Sequence, residues 1–394
     1  MKRLFLSDLH VGDGTAKDDF EFDEEFVKLL ETFEAEDVEL IINGDFLEIS
    51  KSRRLKKLGL VPLSVVFERL EPEVVDDIVL NHERLFKKLA EFAKKKKVYY
   101  VVGNHDFYML KMDKLRRRFW ELLGVRIPIC SHVYLDDWKI LVFHGHQFDV
   151  TNRLSFDAKS RELLPPLGDY AARYMTIHFD DLLYTYNVPE DILKNYDNVK
   201  PATDTVKWLE YVSKAYNVGL DLVEEWTKTF VKMLKTPIAK RWMKVNYPLM
   251  NFFSNFFINN FGGLKLGEYI VRAVDKLRRL RQSDVLYKRS KKVLIRKRGK
   301  VFKKKDLVGF DEEMLEYDSR DVNGLILGHS HYSDLRFFKR GGDTTFYLNT
   351  GTWWPVVSKR GKVFHRICEL TWALIDDSKG KLEIELHTRV RTIT

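Results

Sequence analysis

VVGNHDFYML, residues 101–110, closes an apolar, β-rich run with an amide, an imidazole and a carboxylate in succession. Three neighbouring runs end in the same way: KRLFLSD (2–8), VELIING (38–44) and KILVFHG (139–145) each pass from apolar residues to a polar or glycine terminus. With KVYYVVG (97–103) they read as buried strands. Between them, FDEEFVKLLETF (22–33) and VVDDIVLNHERLFKKLAEFAKK (74–95) place apolar residues at helical spacing. Strand and helix alternate, which predicts a layered α/β core whose early strands run parallel.

The pattern changes over 151–319, where long helical periodicities rich in Trp, Tyr, Phe and Met dominate. Near the end of this region KKVLIRKRGKVFKKK (291–305) reads as a basic β-hairpin turning at Arg298-Gly299. Strands then resume in NGLILG (323–328), TTFYLNTGTWW (344–354), FHRICELTWALI (364–375) and KLEIELHTRV (381–390). Because polar strand ends occur on both sides of the helical region, the expected organisation is one core, 1–150 and 320–394, interrupted by a mainly helical insertion at 151–319.

With 394 residues, 45% of them hydrophobic, the chain can bury a large core, which excludes a disordered tail. Two cysteines, Cys130 and Cys368, are too few for a disulfide framework or a thiolate zinc site and fit a reducing compartment. The beginning MKRLFLSDLH meets charge too early for a signal peptide, and no run reaches the length of a membrane span, so a cytoplasmic location is expected. The net charge of +9 is concentrated: residues 276–305 hold fifteen Lys and Arg against Asp284 alone, a segment charge of +14 that leaves about −5 for the rest. Such a run calls for an anionic partner.

Six of the eleven histidines fall in five polar interruptions: Asp8-Leu9-His10, Gly44-Asp45, Gly103-Asn104-His105-Asp106, His144-Gly145-His146 and Gly328-His329-Ser330-His331. Each follows an apolar run and so emerges at the carboxyl end of a strand, the edge where open α/β sheets bind ligands. In Asp8-Leu9-His10 the first and third side chains project to one face and can reach one ion, and His329 and His331 repeat the spacing. Carboxylates, imidazoles and an amide oxygen without thiolate suit divalent manganese, iron, zinc or cobalt, in number enough for two ions. His82, His132, His178, His365 and His387 lie outside these places and read as surface or satisfied core residues.

The five blocks, in this order, resemble the calcineurin-like metallophosphoesterase superfamily. The resemblance implies a four-layer α-β-β-α sandwich and a dinuclear site. In that site Asp8, His10 and His331 hold one ion, Asn104, His144 and His329 hold the other, and Asp45 bridges them. Manganese is the expected metal, with iron, zinc, cobalt and nickel as alternatives. It further implies that a metal-activated hydroxide attacks phosphorus while His105 protonates the leaving oxygen, oriented by Glu48 or Asp106. His146 is left facing the substrate or supporting a ligand.

SDLHVGDG, GNHDF and HGHQFD most resemble the branch of UDP-diacylglucosamine pyrophosphohydrolases, whose helical insertion occupies the same place between motifs. The insertion here, about 170 residues, is much longer, and several members of that branch carry Arg where His105 stands. This implies a lipid-linked or nucleotide-linked phosphoester or pyrophosphate as substrate. YPLMNFFSNFFINNFGGL (247–264), uncharged and aromatic, beside the basic run suits an anionic membrane surface or lipid. A nuclease using the basic segment to hold nucleic acid, or a non-catalytic scaffold with the same fold, are the alternative readings.

Overall fold

The computed structural model describes residues 1–186, 198–199, 204–248, 282–361 and 363–393. The first sheet is built on the parallel strands β1 (Lys2–Leu6), β2 (Val38–Asn43), β3 (Val98–Val101) and β4 (Ile129–Cys130). It is extended past β1 by the antiparallel β13 (Val363–Asp376), which also pairs with β12 (Val356–Arg360) and β14 (Glu383–Ile393). The second sheet runs in the order β10 (Ser333–Arg340), β11 (Asp343–Thr350), β9 (Gly324–Leu327), β6 (Ile140–Val142), β5 (Val133–Leu135). Its β6, β9 and β11 are parallel.

Strand alternation sorts the side chains into layers. Phe5, Ile41 and Val101 from the first sheet meet Ile140, Val142, Ile326 and Leu348 from the second in one buried cluster between the sheets. Leu4, Leu6, Leu40 and Ile42 point the other way, onto Phe26, Leu30, Phe86 and Leu89 of the helices Asp23–Thr32 and Glu83–Lys95. Leu141, Leu325, Leu327 and Tyr347 form the outer face of the second sheet and pack on Leu286, Val293 and Leu294. The result is the expected α-β-β-α sandwich.

Two local expectations are corrected. Residues 291–305 form no hairpin: the helix Gln282–Leu294 carries Leu286, Ser290, Val293 and Leu294 inward at i, i+4, i+7 and i+8, and its burial against the second sheet overrides the β-rich look of the run. The long helical pattern at 74–95 is two helices, Glu73–Asn81 and Glu83–Lys95, broken at His82, whose side chain is drawn into a buried ion cluster. The helical region also holds a small hairpin, β7 (Ser155–Asp157) with β8 (Glu162–Leu164). Its helices Leu167–Thr185, Asp204–Ala215 and Leu222–Leu234 build a separate apolar cluster with Phe179, Trp208, Leu209 and Leu222. Residues 249–264 of the aromatic stretch and 276–281 of the basic segment lie outside the described residues.

Candidate metal centre

β1, β2, β3, β6 and β9 end at one rim, and each hands its following residues to the same cleft. Two groups of ligand atoms gather there, Asp8 with His10 and His331, and Asp45 with His144 and His329; within each group the atoms lie within 4.8 Å of one another. Asp45 stands between the two, its Oδ2 3.1 Å from His144 Nε2 and 3.9 Å from His10 Nε2. Asp8 Oδ1 is 3.2 Å from His331 Nε2 and 3.9 Å from His144 Nε2. Asn104, buried at the end of β3, belongs to the same rim.

The backbone here is strained. Eight described non-glycine residues have positive φ, and five of them are Asp8, His10, Asp45, His329 and His331. L-residues adopt this region at a cost, and such outliers concentrate at functional sites. Two glycines make the approach feasible: a Cβ at Gly44, itself at φ 89, would come within 2.2 Å of His144 Nδ1, and one at Gly103 within 2.1 Å of Asp45 Oδ1.

Hydrogen bonds from the far side of each ring leave one nitrogen for a ligand. His144 Nδ1 donates to the Asn43 carbonyl (2.9 Å) and His10 Nδ1 to Glu48 Oε2 (3.0 Å), so Nε2 faces the cleft in both. His10 Nε2 and Asn104 Oδ1 are buried with no hydrogen-bond partner among the described residues. A buried polar atom left unpaired is costly, and these two are placed as metal ligands would be. With donors of oxygen and nitrogen only, the set fits divalent cations.

Charge is balanced internally. Burial pushes Asp8 and Asp45 up, but the imidazoles, His144 foremost, hold both carboxylates below their usual range. Burial pulls His144 down, and Asp45 and Asp8 outweigh it, raising it to about 10; it must release that proton to serve as a ligand. His105 is raised to about 9 against burial by the charges of Glu48 and Asp45. Its Nδ1 lies 2.8 Å from Glu48 Oε1, while Glu48, buried, is held well below its ordinary value by His105 and His10. His105 and His331, 15% and 14% exposed against 4% or less for Glu48, His10 and Asp45, mark where the cleft opens.

Asp106 is turned away from His105. Its carboxylate accepts from Tyr100 Oη (2.5 Å), Gly103 N (2.6 Å) and Phe46 N (2.8 Å), an arrangement that braces the corner after β3. Of the two candidates for orienting His105, the geometry brings Glu48 to it and not Asp106. His146 is buried between His144 and Phe310, with neither ring nitrogen hydrogen-bonded among the described residues.

Three contributors escaped the sequence reading. Trp354 packs at a tilt on His10 with ring centroids 4.0 Å apart, and Lys51 Nζ sits 4.1 Å from the Trp354 ring centroid. Asp149 Oδ2 lies 3.3 Å from His329 Nε2. The last had a signal, the Asp closing HGHQFD five residues after His144; a tryptophan after a turn carries none.

A sandwich with oxygen and nitrogen ligands gathered at its strand ends defines a metal-dependent phosphoester hydrolase in general terms. Residues 1–208, more than half of the chain, match the family model for calcineurin-like phosphoesterases, and the chain belongs to that family. No individually curated protein matches it.

Proposed function

We propose that this protein hydrolyses a phosphoester or diphosphate bond at a dinuclear centre, with His105 as the general acid and Glu48 as the residue that orients it. The observation that carries the reading is the placing of the His105–Glu48 pair against both ligand groups: His105 N donates to Asp45 Oδ1 (2.8 Å), and Glu48 reaches His10. Asp8, His10 and His331 would hold one cation, Asn104, His144 and His329 the other, and Asp45 both. Manganese is our first choice, with iron, zinc, cobalt or nickel as alternatives. Bound divalent ions at such a site polarise the phosphoryl oxygens and lower the pKa of water.

The chain's own part follows from its hydrogen bonds. Glu48 fixes the proton on His105 Nδ1, which leaves Nε2–H to face the leaving oxygen. Glu48 and Asp45 favour the protonated ring of His105, the form a general acid needs. Trp354 and Lys51 wall the site beside His10.

The substrate class we favour is a lipid-linked or nucleotide-linked diphosphate, handled at the inner face of an anionic membrane. Lys288, Lys292, Lys297, Arg298, Lys304 and Lys305 are exposed on the helix Gln282–Leu294 and the loop after it. Most are lysines, point charges suited to a surface of head groups rather than to bidentate reading of bases. Among the described residues no helix is long and apolar enough to cross a membrane. Metal analysis together with turnover of bis(4-nitrophenyl) phosphate, followed by a panel of lipid-linked diphosphates, nucleotide diphosphates and nucleic acids, tests the reading. Two ions per chain and preference for the diphosphates are expected. Absence of metal and turnover would point to a scaffold, and steeply salt-dependent cleavage of nucleic acid to a nuclease.

A further inference from the structure

The last strand leaves one edge of the first sheet open. β14 pairs along its length with β13, and among the described residues no strand pairs with its other side. An edge of eleven residues offers unpaired N–H and C=O groups, a template for another strand unless the chain guards it. Alternation puts Glu383, Glu385, His387, Arg389 and Arg391 on one face, where the His387 ring lies parallel to that of Trp372 (7°, centroids 5.1 Å apart). Ile384 and Leu386 face the other way and pack between the sheets. Charge on the outer row would guard the edge, but its order does more.

Acids at one end of a strand and bases at the other make it complementary to itself when run antiparallel. In the register centred on His387, Glu383 stands opposite the partner's Arg391 and Glu385 opposite the partner's Arg389, and the twofold axis repeats both pairs. A shift of two residues either way leaves one acid of each chain opposite an arginine, and a shift of one turns the inward row to solvent. Arg389 is exposed, with no carboxylate among the described residues within ion-pair distance, and Glu385, its counterpart, is 57% exposed beside His387 (2.9 Å). The outer pair is partly engaged within the chain, Glu383 with Lys379 (3.4 Å) and Lys381 (2.7 Å), Arg391 with Glu25 (3.4 Å). The inner pair therefore decides the register.

The apolar row agrees. Val390 continues the row of Ile384 and Leu386 yet is 59% exposed, and in this register it meets the partner's Ile384. β10 packs beside β14, and its Phe337 continues the inward row of Leu335 but is 58% exposed. The interior of the sandwich is open along this side. β10 itself lacks the ordering: Arg336, Lys339 and Arg340 stand against Asp334 alone, so no twofold register gives each charge an opposite partner.

We propose that β14 docks a second copy of this chain, pairing antiparallel with its own counterpart about His387 and joining two first sheets into one. Sedimentation equilibrium of the full chain should show dimers. Glu385→Arg and Arg389→Glu each set like charges opposite one another at two symmetry-related places, and each should raise the dissociation constant by about tenfold or more. The chain carrying both exchanges restores opposite charges and should dimerise like the parent. An equimolar mixture of the two single variants should form the mixed dimer, because their changes are complementary. His387→Cys should cross-link to itself under mild oxidation and Thr388→Cys should not, since only position 387 lies on the axis. Metal content and turnover, which these residues do not serve, report that each variant is folded. A monomeric parent, a dimer indifferent to both single variants, a double exchange that fails to restore it, or equal cross-linking at 387 and 388 overturns the proposal.

Discussion

His82 and His10 are comparably buried, 5% and 2% exposed, and both lie among carboxylates, yet they are held in opposite ways. Both ring nitrogens of His82 are engaged, Nδ1 with Asp23 (2.9 Å) and Nε2 with Asp18 (3.0 Å). His10 spends Nδ1 on Glu48 and keeps Nε2 unpaired in the cleft. His10 also sits at φ 54, with four other candidate ligands in the same strained region, whereas His82 at φ −118 is unstrained. A structural histidine satisfies its hydrogen bonds within the protein; a ligand keeps one coordinating atom in reserve and bears backbone cost to aim it.

The sharpest way to break this distinction is Asp45→Asn. Removing the carboxylate between the two groups should eliminate bound metal and lower turnover by about three orders of magnitude or more, since the charge stabilisation supplied at the site is worth several kcal/mol. Metal analysis beside the rate assay decides it; full metal content would show that Asp45 is no ligand. His105→Ala comes next. It should keep its metal while losing about 10²- to 10⁴-fold on esters with poor leaving groups, and equal loss of metal and rate would place His105 with the ligands instead.

His82→Gln sharpens the comparison from the other side. The pKa of His82 is raised from 6.5 to about 9 by Asp18 and Asp23 against the effect of burial. Because the folded state binds the proton more tightly, this stabilisation is complete below pH 6.5 and is lost as pH rises through about 9. The substitution should therefore cost up to about 3 kcal/mol at pH 6 and much less at pH 10, with metal content and turnover at neutral pH retained. Denaturant unfolding at the two pH values measures the difference; a pH-independent cost would mean that His82 acts by packing alone.

The part of this contrast that sequence exposes is position along strands. Asp8, Asp45, Asn104, His144 and His329 were legible because each follows an apolar run, and parallel strands carry their ends to one rim. The resemblance puts Glu48 first and Asp106 second as the partner of His105, and it is the corner after β3, turning Asp106 toward Tyr100 and Gly103, that decides between them. Residues 291–294, the end of the helix Gln282–Leu294, look like a strand because the β-branched and basic run continues beyond them, while the inward spacing that decides the matter includes a serine, Ser290.

The same difference between groups engaged within the protein and groups held in reserve divides the basic segment. Arg289 pairs with the buried Asp306, which also accepts from Arg153 (2.6 Å), and lies over Phe148 at 4.2 Å. Lys288 and Lys292, one turn apart on the same helix, are exposed, and no carboxylate among the described residues lies within ion-pair distance of either. Arg289→Gln should therefore lower stability and leave surface binding nearly intact. Lys288→Gln with Lys292→Gln should instead weaken binding to vesicles containing phosphatidylserine by roughly 30-fold, at about 1 kcal/mol for each lysine near an anionic surface. Flotation at low and high salt measures it, because the attraction of exposed cations is screened by salt. Equal binding to neutral vesicles, or a double variant that floats like the parent, would remove the membrane as the partner of this surface and leave the metal centre untouched.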